Sequence, residues 1–256
     1  MSSTFFSDAD SYENFMGRYS RVLAPELARA ADVSAGQEVL DVGCGTGALT
    51  TVLAGIVGSE HVAAVDPTEP FVEQCRANVP SADVRVAPAE AIPFEDASFD
   101  RALAQLVFHF VSDPAAAVAE MRRVTRPGGK VAACVWDFTG GMTMIKAYWE
   151  AARSLDPDAP SEFERFGGKP GQLAQLWRDA GLADVVDSAL EVSTRYQDFE
   201  ELWQSFRRGE GPVGVHAASL EGELHDAVRD AFYRLVGSPE GSFELTGRAW
   251  CAVGTV

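Results

Sequence analysis

The segment Val39-Leu40-Asp41-Val42-Gly43-Cys44-Gly45-Thr46-Gly47 carries the residues best suited to chemistry. An apolar run followed by alternating glycines lets a strand turn sharply into a helix and lets a ligand come close to the backbone. Because Ala48 follows, the segment also fits the Gly-x-Gly-x-x-Gly/Ala pattern of dinucleotide sites. Asp66 stands about 20 residues on, where such folds place a ribose carboxylate. Asp41 separates the alternatives: an acid ending the first strand is poorly placed beside a diphosphate and well placed beside an ammonium group. Its other reading is a solvated or helix-capping carboxylate.

An ammonium at that point implies an amino-acid ligand. S-adenosylmethionine carries one at its methionine end, with a ribose whose hydroxyls Asp66 can accept and an adenine that needs an apolar slot. Its sulfonium makes the methyl electrophilic, so a protein using it chiefly has to align a nucleophile. Where the nucleophile carries a proton, His109 is the candidate general base, as it follows the fourth strand. A packed histidine is its other reading. His61, His216 and His225 form no metal pattern with one another or with a cysteine, so no metal is expected.

These residues need a sheet edge to bring them together. Apolar, β-branched clusters alternate with stretches of helical period, the pattern of a parallel sheet built through βαβ crossovers. Strands are predicted near Glu38 to Val42, His61 to Val65, Asp83 to Val86, Phe99 to Leu106 and Lys130 to Trp136. Helices are predicted over Thr46 to Ile56, Thr68 to Asn78 and Asp113 to Val124, the last ended by a turn at Arg126-Pro127-Gly128-Gly129. A helical piece at Thr143 to Ser154 sits in a glycine- and proline-rich insertion. Gly171 to Ala180 reads as a helix, Asp184 to Tyr196 as a long strand, Phe199 to Arg208 and Glu221 to Val236 as helices, and Ser242 to Val253 as the last strand.

The landmarks VLDVGCGTG, AAVDPTEPFVEQCR, APAEAIPFEDASFD and EMRRVTRPGGKVAACVW, in this order, resemble the class I S-adenosylmethionine-dependent methyltransferase family. The resemblance is strongest to its small-molecule branch of ubiquinone and menaquinone methyltransferases, and runs roughly from Tyr12 to Trp136. It implies an α/β, Rossmann-like seven-stranded sheet in the order 3-2-1-4-5-7-6, with the last strand antiparallel and the cofactor across the carboxyl ends of the first strands. On matching positions, Gly43, Cys44 and Gly45 line the methionine portion, Asp41 helps hold the ammonium and Asp66 binds the ribose. Pro67 and Phe71 border the adenine, and Ala89 and Glu90 belong to the loop that reads it. Pro88 departs from the pattern, since many relatives have an acidic residue there. Gln105 matches a position that meets the amino-acid end, and is otherwise an ordinary strand-end polar residue. Tyr12 and Arg18 match a leading helix that closes over the cofactor, with Arg18 pairing the methionine carboxylate or remaining a solvated surface arginine.

The expectation is therefore one domain over 1–256 with lid insertions at about 137–170 and 199–240, transferring methyl to an O, N or C atom of a small acceptor. A nicotinamide-dependent oxidoreductase and a non-catalytic S-adenosylmethionine-binding module are the competing readings. The acceptor is expected to be small and partly apolar, beneath a roof whose aromatic residues are Tyr148, Trp149, Phe163, Phe166, Trp203, Phe206, Phe232 and Tyr233. With 21 Lys plus Arg against 38 Asp plus Glu, the net charge of −17 repels phosphate backbones, so nucleic acid is not an expected partner. No apolar run has the length of a membrane span, the first residues lack a secretory pattern, and the four cysteines lie far apart. Membrane insertion is not expected, and a reducing cytoplasm is.

Overall fold

A computed structural model describes residues 13–208 and 211–256. It begins with a π-helical turn, Glu13–Gly17, that runs into helix α1, Arg18–Ala30. Tyr19, Leu23, Ala24, Leu27 and Ala28 fall on one face of α1 and are buried. Pro25 lies within this helix, which is why its length is hidden from a reading by punctuation. Strand β1 (Val39–Val42), α2 (Ala48–Val57), β2 (Val62–Asp66), α3 (Glu69–Asn78), β3 (Asp83–Val86), β4 (Phe99–Gln105), α4 (Pro114–Val124) and β5 (Thr125–Trp136) follow. Then come α5 (Thr143–Leu155), α6 (Gln172–Asp179), β6 (Ala183–Tyr196), α7 (Phe199–Arg207), α8 (Gly211–Ser219), α9 (Gly222–Leu235) and β7 (Phe243–Thr255).

The strands form one seven-stranded sheet in the order β3-β2-β1-β4-β5-β7-β6. β3, β2, β1, β4 and β5 run parallel, and β7 is antiparallel to both β5 and β6. Every residue of β1 and β2 is buried, as expected of parallel strands covered on both faces. The pleat sends successive side chains to opposite layers. In β5, Ala132, Cys134 and Trp136 join the layer of α1 and α2, while Val131, Ala133 and Val135 join that of α4 and α6.

Two details differ from the sequence reading. Arg126-Pro127-Gly128-Gly129 lies inside β5 as a bulge, because the ladder jumps from Phe99↔Thr125 to Arg101↔Lys130. Gly129 is needed there, since a Cβ would stand 2.7 Å from the carbonyl oxygen of Asp100. The second difference is α8, a helix where the sequence shows only a connection. Its glycines and Pro212 mask it, and burial of Val213 and Ala217 supports it.

α5 and α9 pack together, and with α7 they build the mass beyond the sheet. Tyr148 stands 5.1 Å from the Phe206 ring and 5.7 Å from that of Phe232, and its hydroxyl meets His216 Nδ1 at 2.7 Å. Among the described residues no helix is long and apolar enough to cross a membrane. Cys44, Cys75, Cys134 and Cys251 are buried free thiols.

Candidate active site

A cavity of about 640 Å³ opens at the carboxyl ends of β1 to β5. It is walled by Gly43 and Gly45, by Asp66, Pro67, Thr68 and Phe71, by Pro88, Ala89 and Glu90, and by the run Gln105–Val107 and His109–Asp113. Trp136, Phe138, Ile145, Glu162 and the segment Gly211–Val213 close its other side. The volume falls in the range of small-molecule sites.

The glycine loop is shaped by its backbone. Gly43 and Cys44 both donate their N–H to the carbonyl of Val65, which folds the loop back over β2. Gly43 has φ +74°, and a Cβ on it would stand 2.3 Å from Val107 Cγ2. Gly45 has φ +52° and open space where a Cβ would be, so a ligand can lie against its backbone. Leu106, leaving β4 beside this loop, is itself held at φ +64°, a strained value of the kind that gathers at functional sites.

Asp66 ends β2 on the cavity wall and is 7% exposed. Its Oδ2 accepts from Gly45 N at 3.0 Å and its Oδ1 from Thr68 N at 2.8 Å. Each oxygen keeps a second lone pair, so the carboxylate is fixed in orientation and still able to accept two hydroxyls. Burial raises its pKa while these backbone donors oppose the rise. Glu90 ties two loops together, accepting from Ser112 N at 3.0 Å and Asp113 N at 3.3 Å. Gln105 donates from Nε2 to the Ser20 carbonyl at 3.0 Å and leaves Oε1 without a partner.

Gly43, Gly45, Asp66, Pro67, Phe71, Ala89, Glu90, Gln105 and His109 thus share one cavity. Others of the expected residues do not reach it. Asp41 is 1% exposed beneath the glycine loop, with Oδ2 accepting from Thr50 Oγ1 at 2.7 Å and Oδ1 unpartnered. Burial pushes its carboxyl up to about 7. Direct contact with a ligand ammonium is therefore corrected to a position one layer behind the wall. Cys44 is likewise buried behind the loop, its thiol directed at the Gly45 carbonyl. Arg18 is corrected too: its guanidinium pairs with Glu201 at 2.7 Å and lies 4.3 Å above the Tyr196 ring, away from the cavity. Tyr12 lies outside the described residues.

His109 Nδ1 lies 2.8 Å from the Phe166 carbonyl, which can only accept, so Nδ1 carries the proton. Burial drives the ring's pKa down to about 3, and it lies against the Phe138 ring with centroids 4.4 Å apart. Nε2 is buried and unpartnered. In this structure His109 lies on the cavity wall as a buried neutral imidazole, a weak base with its Nδ1 proton held by the Phe166 carbonyl.

The roof aromatics are corrected as a group. Tyr148, Trp149, Phe163, Phe166, Trp203, Phe206, Phe232 and Tyr233 pack within the protein, and none lines the cavity. The wall takes instead Phe15 and Met16, from the leading segment between Tyr12 and Arg18, together with Phe138, Ile145, Glu162 and Val213, which no local motif marks. Asp66, Glu90, Asp113 and Glu162 line it, and no lysine or arginine does among the described residues. No group of three or more potential metal ligands occurs among those residues.

A methyltransferase domain model matches residues 40–133. The demethylmenaquinone methyltransferase of Roseiflexus castenholzii is 34% identical over 179 residues, 62% of this chain and 73% of that protein. An uncharacterized methyltransferase of Mycobacterium bovis is 38% identical over 137 residues, 54% of this chain and 53% of that protein. The chain spans about half the length of several curated relatives it matches. The Haemonchus contortus phosphoethanolamine N-methyltransferase 2, solved with phosphomonomethylethanolamine and S-adenosylhomocysteine, shares the fold with a TM-score of 0.58 at 18% identity. The match covers 97% of this chain and 57% of that one. With the sheet order, the glycine loop and Asp66 in place, the chain belongs to the class I S-adenosylmethionine-dependent methyltransferase family.

Proposed function

We propose that the protein binds S-adenosylmethionine in this cavity and transfers its methyl group to an O, N or C atom of a small, partly apolar acceptor. The observation that carries the reading is Asp66, a carboxylate held by Gly45 N and Thr68 N with lone pairs left for a pair of ribose hydroxyls. Gly45, open where a side chain would stand, offers the backbone surface for the methionine portion. Pro67 and Phe71 form an apolar edge for the adenine, and the loop Pro88–Glu90 completes it without an acidic side chain at Pro88. When bound, the cofactor supplies an electrophilic methyl. The chain's part is to align the acceptor and keep water out, which suits a cavity walled by Leu106, Phe138, Ile145 and Val213. Four lining carboxylates favour a sulfonium over the diphosphate of a nicotinamide cofactor.

Melting curves with S-adenosylmethionine, S-adenosylhomocysteine, NAD and NADP test the cofactor, because a ligand of the folded state raises its stability by mass action. A rise with the first two alone is expected. A rise with NAD or NADP alone would replace the reading by an oxidoreductase. Labelled methyl is expected to pass to a pool of neutral or weakly charged metabolites and not to RNA or DNA. Labelling of nucleic acid without any metabolite product would refute that acceptor class.

A further inference from the structure

Glu162 sits in the irregular segment between α5 and α6, is 3% exposed, and lines the cavity. Its Oε2 accepts from the Trp149 indole N–H at 3.2 Å. Its Oε1 has no hydrogen-bond partner among the described residues. The nearest cation, Arg165 Nε, is 3.7 Å away, beyond hydrogen-bond reach. The Arg165 guanidinium instead donates to the His109 carbonyl at 3.3 Å and lies 5.1 Å from the centre of the Phe110 ring. Burial raises the Glu162 pKa.

A buried carboxyl oxygen whose one partner is the loose ion pair with Arg165, with no hydrogen bond of its own, can still accept one from a group in the cavity. Little on the protein's side donates one. The other titratable lining groups are Asp66, Glu90, Asp113 and neutral His109, whose Nε2 bears a lone pair, and Gln105 leaves an oxygen unpartnered. The wall around the acceptor is otherwise apolar, with Phe110, Phe138, Ile145 and Val213.

We infer, resting on the methyltransferase reading above, that Glu162 recognises the acceptor through Oε1 and that the acceptor is a protic compound with an apolar body. It presents a hydroxyl or amine N–H or O–H to Glu162, and carboxylates and phosphate monoesters are rejected. The selectivity follows from charge: among the described residues an anion meets four lining carboxylates, of which only Glu162 has an arginine nearby, and no lining lysine or arginine, whereas a hydroxyl or ammonium finds a waiting acceptor.

Calorimetry on the full chain saturated with S-adenosylhomocysteine tests this with phenol, benzylamine, benzoate and phenyl phosphate at millimolar concentration. Phenol or benzylamine should bind and shift the carboxyl carbon resonance of Glu162, while benzoate and phenyl phosphate should do neither. Glu162→Gln, which keeps an oxygen for Trp149, should weaken the donor probes about tenfold or more and leave S-adenosylhomocysteine affinity unchanged. Glu162→Asp, which withdraws Oε1, should fall between. Benzoate binding as tightly as benzylamine, no binding by either donor probe, or undiminished donor binding by Glu162→Gln would each overturn the inference. The wild-type probe comparison decides the matter even if the variants fold poorly. Failure of the wild type to bind S-adenosylhomocysteine would instead remove the methyltransferase reading itself.

Discussion

Replacing Asp41 by Asn removes a buried acid from beneath the glycine loop. In the folded protein its carboxyl is sealed at 1% exposure, Thr50 supplies its hydrogen bond, and burial lifts its pKa from 3.8 to about 7. The unfolded chain ionises this group near its ordinary value. Between about pH 4 and about pH 7 the folded state therefore holds a proton that the unfolded state has lost, so stability falls as pH rises through that window and levels off above it. A gap of about 3 at about 1.4 kcal/mol per pH unit makes the loss about 4 kcal/mol. Asp41→Asn cannot ionise and is spared this loss. Its amide N–H₂ occupies an oxygen site without a partner, at a pH-independent cost of about 1 to 3 kcal/mol. The variant should thus be less stable than wild type near pH 4 and more stable near pH 8. Urea denaturation of both proteins across that range measures the difference, in which contributions from other carboxylates cancel. Parallel stability curves would show that Asp41 ionises in the folded state as it does in the unfolded chain, and would refute the reasoning.

Asp66→Asn should weaken S-adenosylhomocysteine by about 1.5 to 3 kcal/mol, roughly ten- to a hundredfold, in a protein that still folds; unchanged affinity by calorimetry would remove Asp66 from the site. Arg18→Ala loses the pair with Glu201 and the contact with the Tyr196 ring. The ion pair is partly exposed although the Tyr196 ring is buried, so a stability loss of about 1 kcal/mol is expected with cofactor affinity nearly unchanged; a large drop in affinity would return Arg18 to the ligand. Gly43→Ala forces a Cβ into Val107 at a left-handed backbone position and should cost about 2 to 4 kcal/mol in urea unfolding. Adding Val107→Ala should recover part of that loss, and no recovery would mean that the backbone angle alone is responsible.

The parallel sheet and the ligand edge were legible in the sequence, because what marks them is local, while the strand order is what the family resemblance implied. Apolar clusters, glycines at a strand end and an acid at the end of the next strand act over a few residues, so Gly43, Gly45 and Asp66 stand where their spacing puts them. The family landmarks carried Pro67, Phe71, Ala89 and Glu90 to the same wall. What the tertiary structure decided is which side chain meets which partner across long stretches of chain. Arg18 and Glu201 are 183 positions apart, and only the docking of α7 beside α1 turns the arginine away from the cavity. Asp41 lies in a motif that reads as ligand-facing, yet Thr50 on α2 claims it from behind. Glu162 belongs to no pattern and becomes part of the site when α5 brings Trp149 to it, while the roof aromatics, conspicuous in the sequence, pack on one another. Periodicity records that a face is apolar but not what will cover it, and that is settled when distant elements exclude water together.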